Sequence, residues 1–261
     1  MNLLALDFPP ISHLVEWPGI LFKGSDTFAI NKVVLLMFVA VAATLIVFFI
    51  ASRRSALVPT GVQNVAEASV DFVREGVILQ TIGEEGLHKK WIMPFLLSLF
   101  WFILIGNLYE IVPGIQMPMT ARMAVPLFLA LLVWVVFNGV GIANQGFGTY
   151  FKNSLFPPGV PTALYFLVTP IELVSTFLVR PFSLAVRLFA NLLAGHILLV
   201  TFAVLSTALF EGALALKIIT PLPFVMLVLL TGFEVLVAVL QAYIFTILAA
   251  VYIGGAMHPE H

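Results

Sequence analysis

Long apolar runs alternate with short polar segments along this chain. The first run, residues 33–52, is uncharged and ends at Arg53 and Arg54. At about 1.5 Å per residue, roughly twenty residues match a hydrocarbon core about 30 Å thick. Residues 91–109 and 123–143 form the next two runs, and the short loop between them favours antiparallel neighbours. The pattern predicts one transmembrane helix at 33–52 and two within 91–143, joined by a short outer loop.

Residues 53–90 are amphipathic. Charged side chains are concentrated here, and valines recur near helical spacing at Val62, Val65, Val70, Val73 and Val77. This pattern predicts a cytoplasmic amphipathic segment that lies at the membrane surface. A soluble helical hairpin is the alternative, and it is disfavoured because few apolar residues are available for a core.

The C-terminal half, residues 161–257, carries two longer apolar stretches on either side of residues 211–217. The second stretch, 218–257, has Glu234 as its only charge and would measure about 60 Å as one helix, twice a perpendicular crossing. Each stretch is either a pair of spans or one long inclined helix. Because Gly232 stands alone, without a turn cluster, we favour two long, tilted helices that form a hairpin. The predicted fold class is an all-α polytopic membrane protein.

The topology follows from the tails and from the basic residues. Residues 1–32 lack the basic start and apolar run of a cleavable signal, so we expect a retained extracytoplasmic tail; residues 144–160 are a cytoplasmic loop and 258–261 a C-terminal tail. Basic residues are more numerous on one side of the membrane in this topology than on the other. The first side has Arg53, Arg54, Arg74, Lys89, Lys90 and Lys152, and the second side has Lys23, Lys32, Arg122 and Lys217. Positive-inside bias places the N-terminus outside and the C-terminus in the cytoplasm.

Composition supports the membrane assignment and excludes several other classes. Hydrophobic residues make up 61% of the chain and charged residues 10%, and the mean hydropathy is +1.11. A net charge of −1 without a dense Lys/Arg cluster argues against nucleic acid as a partner. The chain has no cysteine for thiolate metal sites and no Gly-x-x-x-x-Gly-Lys-Ser/Thr loop for ATP. We expect no cofactor and no metal.

Arg187 lies in one of the most apolar stretches, with Arg180 and His196 as the only other ionisable groups of residues 179–196. A guanidinium keeps its proton, and an arginine near the bilayer centre costs at least roughly 2.5–3.5 kcal/mol on insertion scales. Snorkelling from a helix end is disfavoured because apolar residues continue far beyond it. The position indicates a function.

The polar residues of the two hairpin helices have matching spacings along the helix axes. Arg187 and Asn191 are four residues apart and share a helix face, whereas His196 points nearly opposite. Glu234 and Gln241 share a face of the partner helix. In an antiparallel hairpin, the axial separation of Arg187 and His196, about 13 Å, resembles the 10 Å or so between Gln241 and Glu234. We therefore expect Gln241 near Arg187 and Glu234 near His196.

Two readings apply to each of these residues. His196 and Glu234 form either a satisfied ion pair or the titratable pair of an intramembrane proton relay, and we favour the relay. Asn191 either takes part in the proton relay or only forms a hydrogen bond between helices. Gln241 is either part of the proton path or only a hydrogen-bonding neighbour of it.

Further candidates lie outside this register. Glu110, after Asn107, is either an interfacial end charge or the entrance of the relay. Glu172, Ser175 and Thr176 lie toward the cytoplasmic end of the first long helix and are candidates for a proton exit.

Two blocks of sequence resemble subunit a of the bacterial F-type ATP synthase. The first comprises Arg-Leu-Phe-Ala-Asn at 187–191 and Ala-Gly-His at 194–196, with Arg-Pro-Phe-Ser-Leu upstream at 180–184. The second is Gln-Ala-Tyr-Ile-Phe at 241–245. Their order and spacing match that family, and the resemblance covers residues 57–261.

The resemblance implies that the two long helices lie against a rotating ring of c subunits and that Arg187 faces the ring carboxylates. Protons would enter from outside by way of Glu110, His196, Glu234 and Asn191, ride the ring for nearly a full turn, and leave to the cytoplasm. Arg187 would promote release from an approaching carboxylate and block direct passage between the two half-channels.

The resemblance also implies a non-catalytic stator subunit of the bacterial cell membrane. Its partners would be the c-ring, the subunit b stator stalk, the other ATP synthase subunits and membrane lipid. Some members carry an acidic residue where this chain has His196 and a histidine where it has Glu234, an exchange that keeps the same chemistry. The loop 117–126 departs from the family, because Thr120-Ala-Arg-Met-Ala-Val stands where other polar residues are usual.

Other classes of membrane protein fit less well. A secondary transporter would show broken helices and internal repeats, and an intramembrane protease would need His-Glu-x-x-His or Gly-x-Ser-x-Gly. Neither signature is present in the sequence. A stand-alone ion channel stays open as an alternative, and it would conduct when reconstituted alone.

Overall fold

A computed structural model describes residues 31–53, 59–112, 114–156, 164–212 and 214–257 of the chain. Apart from residues 31 and 32, the predicted N-terminal tail lies outside the described residues, as does the predicted tail 258–261. The predicted cytoplasmic loop 144–160 is described only to residue 156.

The described residues are helical nearly throughout, and none of them forms a strand. The helices are α1 (Lys32–Arg53), α2 (Val62–Val73), α3 (Glu84–His88), α4 (Ile92–Leu108), α5 (Ala124–Gln145), α6 (Phe147–Leu155), α7 (Tyr165–Val174), α8 (Arg180–Glu211), α9 (Leu214–Lys217) and α10 (Pro221–Met257).

Two of these helices contain a wider turn with i→i+5 hydrogen bonding. The first such π-turn, Arg74–Ile78, continues α2 into one further turn at Leu79–Thr81. The second, Ser175–Val179, follows Pro170 of α7 and leads directly into α8. A π-turn accommodates one extra residue within a helix, which shifts the side-chain register of everything beyond it.

Four helices among the described residues are long and apolar enough to cross a membrane: α1, α5, α10 and the continuous helix Tyr165–Glu211 that comprises α7 and α8. The apolar α4 has 17 residues, which is the lower limit for a span. The predicted all-α polytopic fold is confirmed, and so is its pair of long C-terminal helices. At 37 residues, α10 is about 55 Å long, far more than a perpendicular crossing requires.

The buried face of α2 coincides only in part with the predicted valine spacing, since Val73 and Val77 are buried. The structure buries Gln63, Ala66, Ser69 and Val73, which are three or four residues apart and line one side of the helix. Valines at the start of the helix are instead exposed. Small side chains at two of the buried positions let the helix pack closely, and the outward valines suit a helix lying against lipid.

The described residues divide into two compact units. The first comprises 31–43 within the segment Met1–Ala43, together with Ile103–Arg122 and Phe189–Gln241. Its core contains Leu36, Ile103, Met119 and Leu192, all of them buried. Lys32 anchors a loop here, because its Nζ donates a 2.8 Å hydrogen bond to the carbonyl oxygen of Ile115.

The second unit comprises Thr44–Phe102, Met123–Leu188 and Ala242–His261. Aromatic rings join its helices: Phe72 of α2 lies 5.5 Å from both Phe100 of α4 and Tyr243 of α10, and Phe137 lies 5.8 Å from Tyr252. These contacts hold the amphipathic segment against apolar helices of the same unit.

The turn from α5 to α6 is fixed by Tyr150. Gly146, with φ of 80°, ends α5, a conformation that glycine adopts without strain. The Tyr150 ring then fills the space beside Gly141, where a Cβ would overlap it. Its hydroxyl donates a 3.0 Å hydrogen bond to Oδ1 of Asn138, and burial raises the pKa of this phenol above its usual 10.0.

Candidate functional site

A buried histidine and a buried glutamate are in contact within the first unit. Nδ1 of His196, in α8, is 3.3 Å from Oε1 of Glu110, and both side chains are almost completely buried. Glu110 lies just beyond the end of α4, where its backbone N–H donates to the carbonyl oxygen of Asn107 at 3.2 Å. The contact lacks the geometry of a hydrogen bond, because Oε1 has no hydrogen-bond partner, and it is an ion pair only when His196 carries a second proton.

Glu234 reaches the same part of α8 from α10. It is 3% exposed, and its carboxyl group lies directly against Gly195, so that any Cβ at this glycine would overlap it. Glu234 therefore lies beside the residue that precedes His196, close to where the sequence predicted it. The 3.3 Å contact of the His196 imidazole is instead with Glu110.

A second polar pair adjoins Glu110. The Thr120 hydroxyl donates a 2.6 Å hydrogen bond to Oδ1 of Asn107, and both residues are fully buried. Nδ2 of Asn107 and Oε2 of Glu234 have no hydrogen-bond partner. Sequence reasoning missed Asn107 and Thr120 as site residues, although an asparagine at the end of an apolar helix, one turn before Glu110, was a usable signal.

These residues place two carboxyl groups and one imidazole in an apolar interior. An isolated buried charge is costly, so such groups persist when they pair or exchange protons. Imidazole and carboxyl side chains are groups that can exchange protons with one another. No group of three or more His, Asp or Glu side chains among the described residues could hold a metal ion.

Arg187 and Asn191 lie on a different face of α8 from His196. Both are exposed, as are Ser183, Ala190 and Ala194 around them, so this face carries one guanidinium among small side chains. Within the described residues of its own unit, the Arg187 guanidinium pairs with no carboxylate. The contacts of the buried cluster do not include Asn191.

The other predicted residues are placed as follows. Gln241 is buried in the first unit. Glu172 and Ser175 are partly exposed in the second unit, and Thr176 is buried. Ser175 and Thr176 open the π-turn that leads into α8, so a break in helix register separates Glu172 from Arg187.

Comparisons with known proteins show the family of the chain. The family model described as "ATP synthase A chain" matches residues 34–254. The chain is similar to "ATP synthase subunit a" of Frankia alni, with 42% identity over 240 residues that cover 91% of this chain and 81% of the relative. It is 44% identical over 227 residues to the subunit of the same name from Rhodococcus erythropolis, covering 87% and 81%. For Methylobacterium sp., the identity is 38% over 261 residues, covering 99% of this chain and 100% of the relative.

The match extends from α1 nearly to the end of α10 and includes every site residue described above. These relatives are bacterial, and the four apolar helices are those of a multi-pass membrane protein. The chain belongs to the ATP synthase A chain family, subunit a of the F-type ATP synthase.

Proposed function

We propose that this chain is the stator subunit that couples transmembrane proton flow to rotation of the c-ring, by means of two offset proton half-channels and Arg187. The observation that carries the proposal is the buried pair of Glu110 and His196, 3.3 Å apart, with the Glu234 carboxyl group against the adjacent Gly195. Proton-exchanging groups are buried here among helices that are otherwise apolar.

The outer half-channel runs from Glu110 through His196 to Glu234. Imidazole serves as the intermediate because one ring nitrogen can accept a proton while the other releases one. Asn191, on the exposed face of α8, is the point at which a proton passes to the ring, and Gln241 supports the path on α10. The cytoplasmic half-channel leaves by way of Glu172, Ser175 and Thr176.

Arg187 separates the two half-channels. An exposed guanidinium without a carboxylate partner in its own unit is available to carboxylates on another subunit. It favours the ionised form of each approaching ring carboxylate, so the proton is released before the carboxylate passes. The small neighbours Ala190 and Ala194 allow a helix of the ring to approach closely.

The assembly and orientation follow from this role. The N-terminus lies outside and the C-terminus in the cytoplasm of the bacterial cell, and the subunit contacts the c-ring, the subunit b stalk, other ATP synthase subunits and membrane lipid. The chain carries no nucleotide chemistry of its own.

The test uses membrane vesicles that contain the whole ATP synthase with this chain. Glu110→Gln and His196→Ala should each reduce ATP-driven proton pumping, measured with a pH-sensitive dye, without loss of the c subunit on copurification. Glu211→Gln is the matched control, because Glu211 is an exposed acid at the end of α8. Normal pumping by both site variants would refute the proposed path. High proton conductance of the chain reconstituted alone would favour the stand-alone channel instead.

A further inference from the structure

The turn that follows α4 is attached to the end of that helix by two adjacent contacts. The Met119 side chain lies against Gly106, where an added Cβ would be 2.5 Å from its Cε. The residues that follow Gly106 and Met119 are also in contact, because the Thr120 hydroxyl donates a 2.6 Å hydrogen bond to Oδ1 of Asn107. Met119 and Thr120 belong to a short 3-10 turn, Met119–Ala121. These contacts hold the segment that carries Glu110.

The Asn107 amide is left half satisfied by this arrangement. Thr120 occupies Oδ1, and Nδ2 has no hydrogen-bond partner although the residue is fully buried. Exchanging the two amide atoms would only transfer the deficit to the oxygen, since Thr120 supplies a single hydroxyl. Buried amide donors are almost always bonded to protein or to an ordered water. The free amide atom of Asn107 therefore calls for a hydrogen-bonding partner, which a buried water can supply.

We propose that Thr120 is a positioning residue for proton transfer, which fixes the Asn107 amide so that Nδ2 is available to a proton-carrying water next to Glu110. The two residues are close in the backbone, because the Asn107 carbonyl oxygen accepts the Glu110 N–H. The inference rests on the proposed function, since it supplies water to the Glu110–His196 pair. It also gives a role to a residue of the loop 117–126.

The position of Thr120 suits such a role better than that of the other fully buried threonine described. Thr246 donates its hydroxyl to the carbonyl oxygen of Ala242, one turn earlier in the same helix. That hydrogen bond is local to the helix and does not orient another side chain. Thr120 instead bonds a side chain 13 residues away, so its hydroxyl determines the rotamer of a second polar group.

The experiment compares ATP-driven proton pumping by whole ATP synthase in membrane vesicles. Thr120→Val keeps the shape but removes the hydroxyl, and it should slow pumping about fivefold to tenfold, the effect of losing one hydrogen bond. Thr120→Ser should restore most of the rate. Thr246→Val is the matched control and should pump at the parental rate. Copurification of the c subunit checks assembly in each case.

A double-mutant cycle tests whether Thr120 acts through its partner. In an Asn107→Ala background, Thr120→Val should cause little further loss. Equal losses in both backgrounds would overturn the inference, and so would a Thr120→Val variant that behaves like Thr246→Val. Thr120→Ser and Thr120→Ala differ only in the hydroxyl, so they repeat the comparison if the valine variant fails to assemble. If neither hydroxyl-free variant assembles while Thr120→Ser does, the hydroxyl serves folding and the inference is wrong.

The His196→Ala variant separates this inference from the proposed function. Normal pumping by His196→Ala means that the proton path itself is misassigned. Loss of pumping in His196→Ala with normal pumping in Thr120→Val means that the path stands and that Thr120 does not position it.

Discussion

Gly195 of α8 and Glu234 of α10 are in such close contact that the Glu234 carboxyl group occupies the space where a side chain at Gly195 would begin. Glycine is required here for close approach, not for an unusual backbone angle, because the residue lies within a regular helix. The contact places a carboxyl group one residue from the imidazole of His196.

Gly195→Ala should therefore displace Glu234 and reduce proton pumping substantially, without preventing insertion of the chain. Gly232→Ala is the control, since Gly232 lies on the same helix as Glu234 and has open space around it. Pumping in membrane vesicles provides the measurement. Equal pumping by the two alanine variants would show that the close contact has no role in proton transfer.

The second prediction concerns the titratable residues on the two long helices. His196→Ala and Glu234→Ala should each impair proton flux, because either substitution removes one proton acceptor from the relay. Exchanging the two residues should restore part of the flux, since one imidazole and one carboxyl group are retained beside Gly195. ATP-driven dye quenching measures both effects. Full pumping in both single variants would contradict the relay.

The third prediction is that Arg187→Lys abolishes coupled ATP synthesis while the complex still assembles. A lysine ammonium can lose its proton when desolvated, whereas a guanidinium stays charged and presents a planar fork to successive carboxylates. Arg187→Ala should in addition let protons leak through connected half-channels. ATP synthesis and passive proton flux in vesicles are the two measurements.

Arg180→Lys serves as the control for Arg187. The Arg180 guanidinium lies 5.6 Å from the centre of the Tyr252 ring, a cation–π contact that a lysine can also make. This variant should retain most of the synthesis. Near-normal synthesis by Arg187→Lys would mean that Arg187 is a structural anchor and not the rotor-facing charge.

The fourth prediction concerns stability at the α5–α6 turn. Tyr150→Phe leaves Oδ1 of Asn138 without its 3.0 Å hydrogen bond, which should cost about 1–3 kcal/mol. The raised pKa of Tyr150 means that the folded chain holds this proton more tightly than the unfolded chain does. Stability from this group is thus present below pH 10 and falls as the pH rises above it.

Thermal unfolding of the purified chain in mild detergent, followed by circular dichroism, measures both effects. Tyr150→Phe should lower the midpoint at neutral pH and weaken the decline above pH 10. Tyr243→Phe is the control, because that ring packs against Phe72 and keeps this contact without its hydroxyl. Equal midpoints for the two variants would argue against a stabilising Tyr150 hydroxyl.

Much of the fold could be predicted because it depends on local pattern. The absence of a turn cluster around Gly232 correctly predicted one long C-terminal helix. Helical periodicity also separated an exposed Arg187 from a buried His196, since nine residues within one regular helix reverse the direction of a side chain.

The partner of His196 was less predictable. Glu110 is far from it in sequence and follows the end of α4, so its position depends on how the turn up to Ala121 folds back. That turn is fixed by Met119 and Thr120, whose contacts no periodicity encodes. The valine spacing predicted the buried face of α2 only in part, because Val73 is buried there whereas the valines at the start of the helix are exposed.

The π-turn Ser175–Val179 has a consequence for the rotational phase of the first long helix. The π-turn accommodates one extra residue. In a regular helix that residue would rotate Glu172 by about 100° relative to Arg187, and the wider turn removes this rotation. The two side chains therefore point in directions that a plain wheel misjudges by about that angle. Deleting a single residue from this turn would give a regular α-helix in which Glu172 and Arg187 keep their present relative directions. Adding one residue would instead rotate Glu172 around the helix axis relative to Arg187. We therefore expect the chain to tolerate loss of one residue here more readily than gain of one.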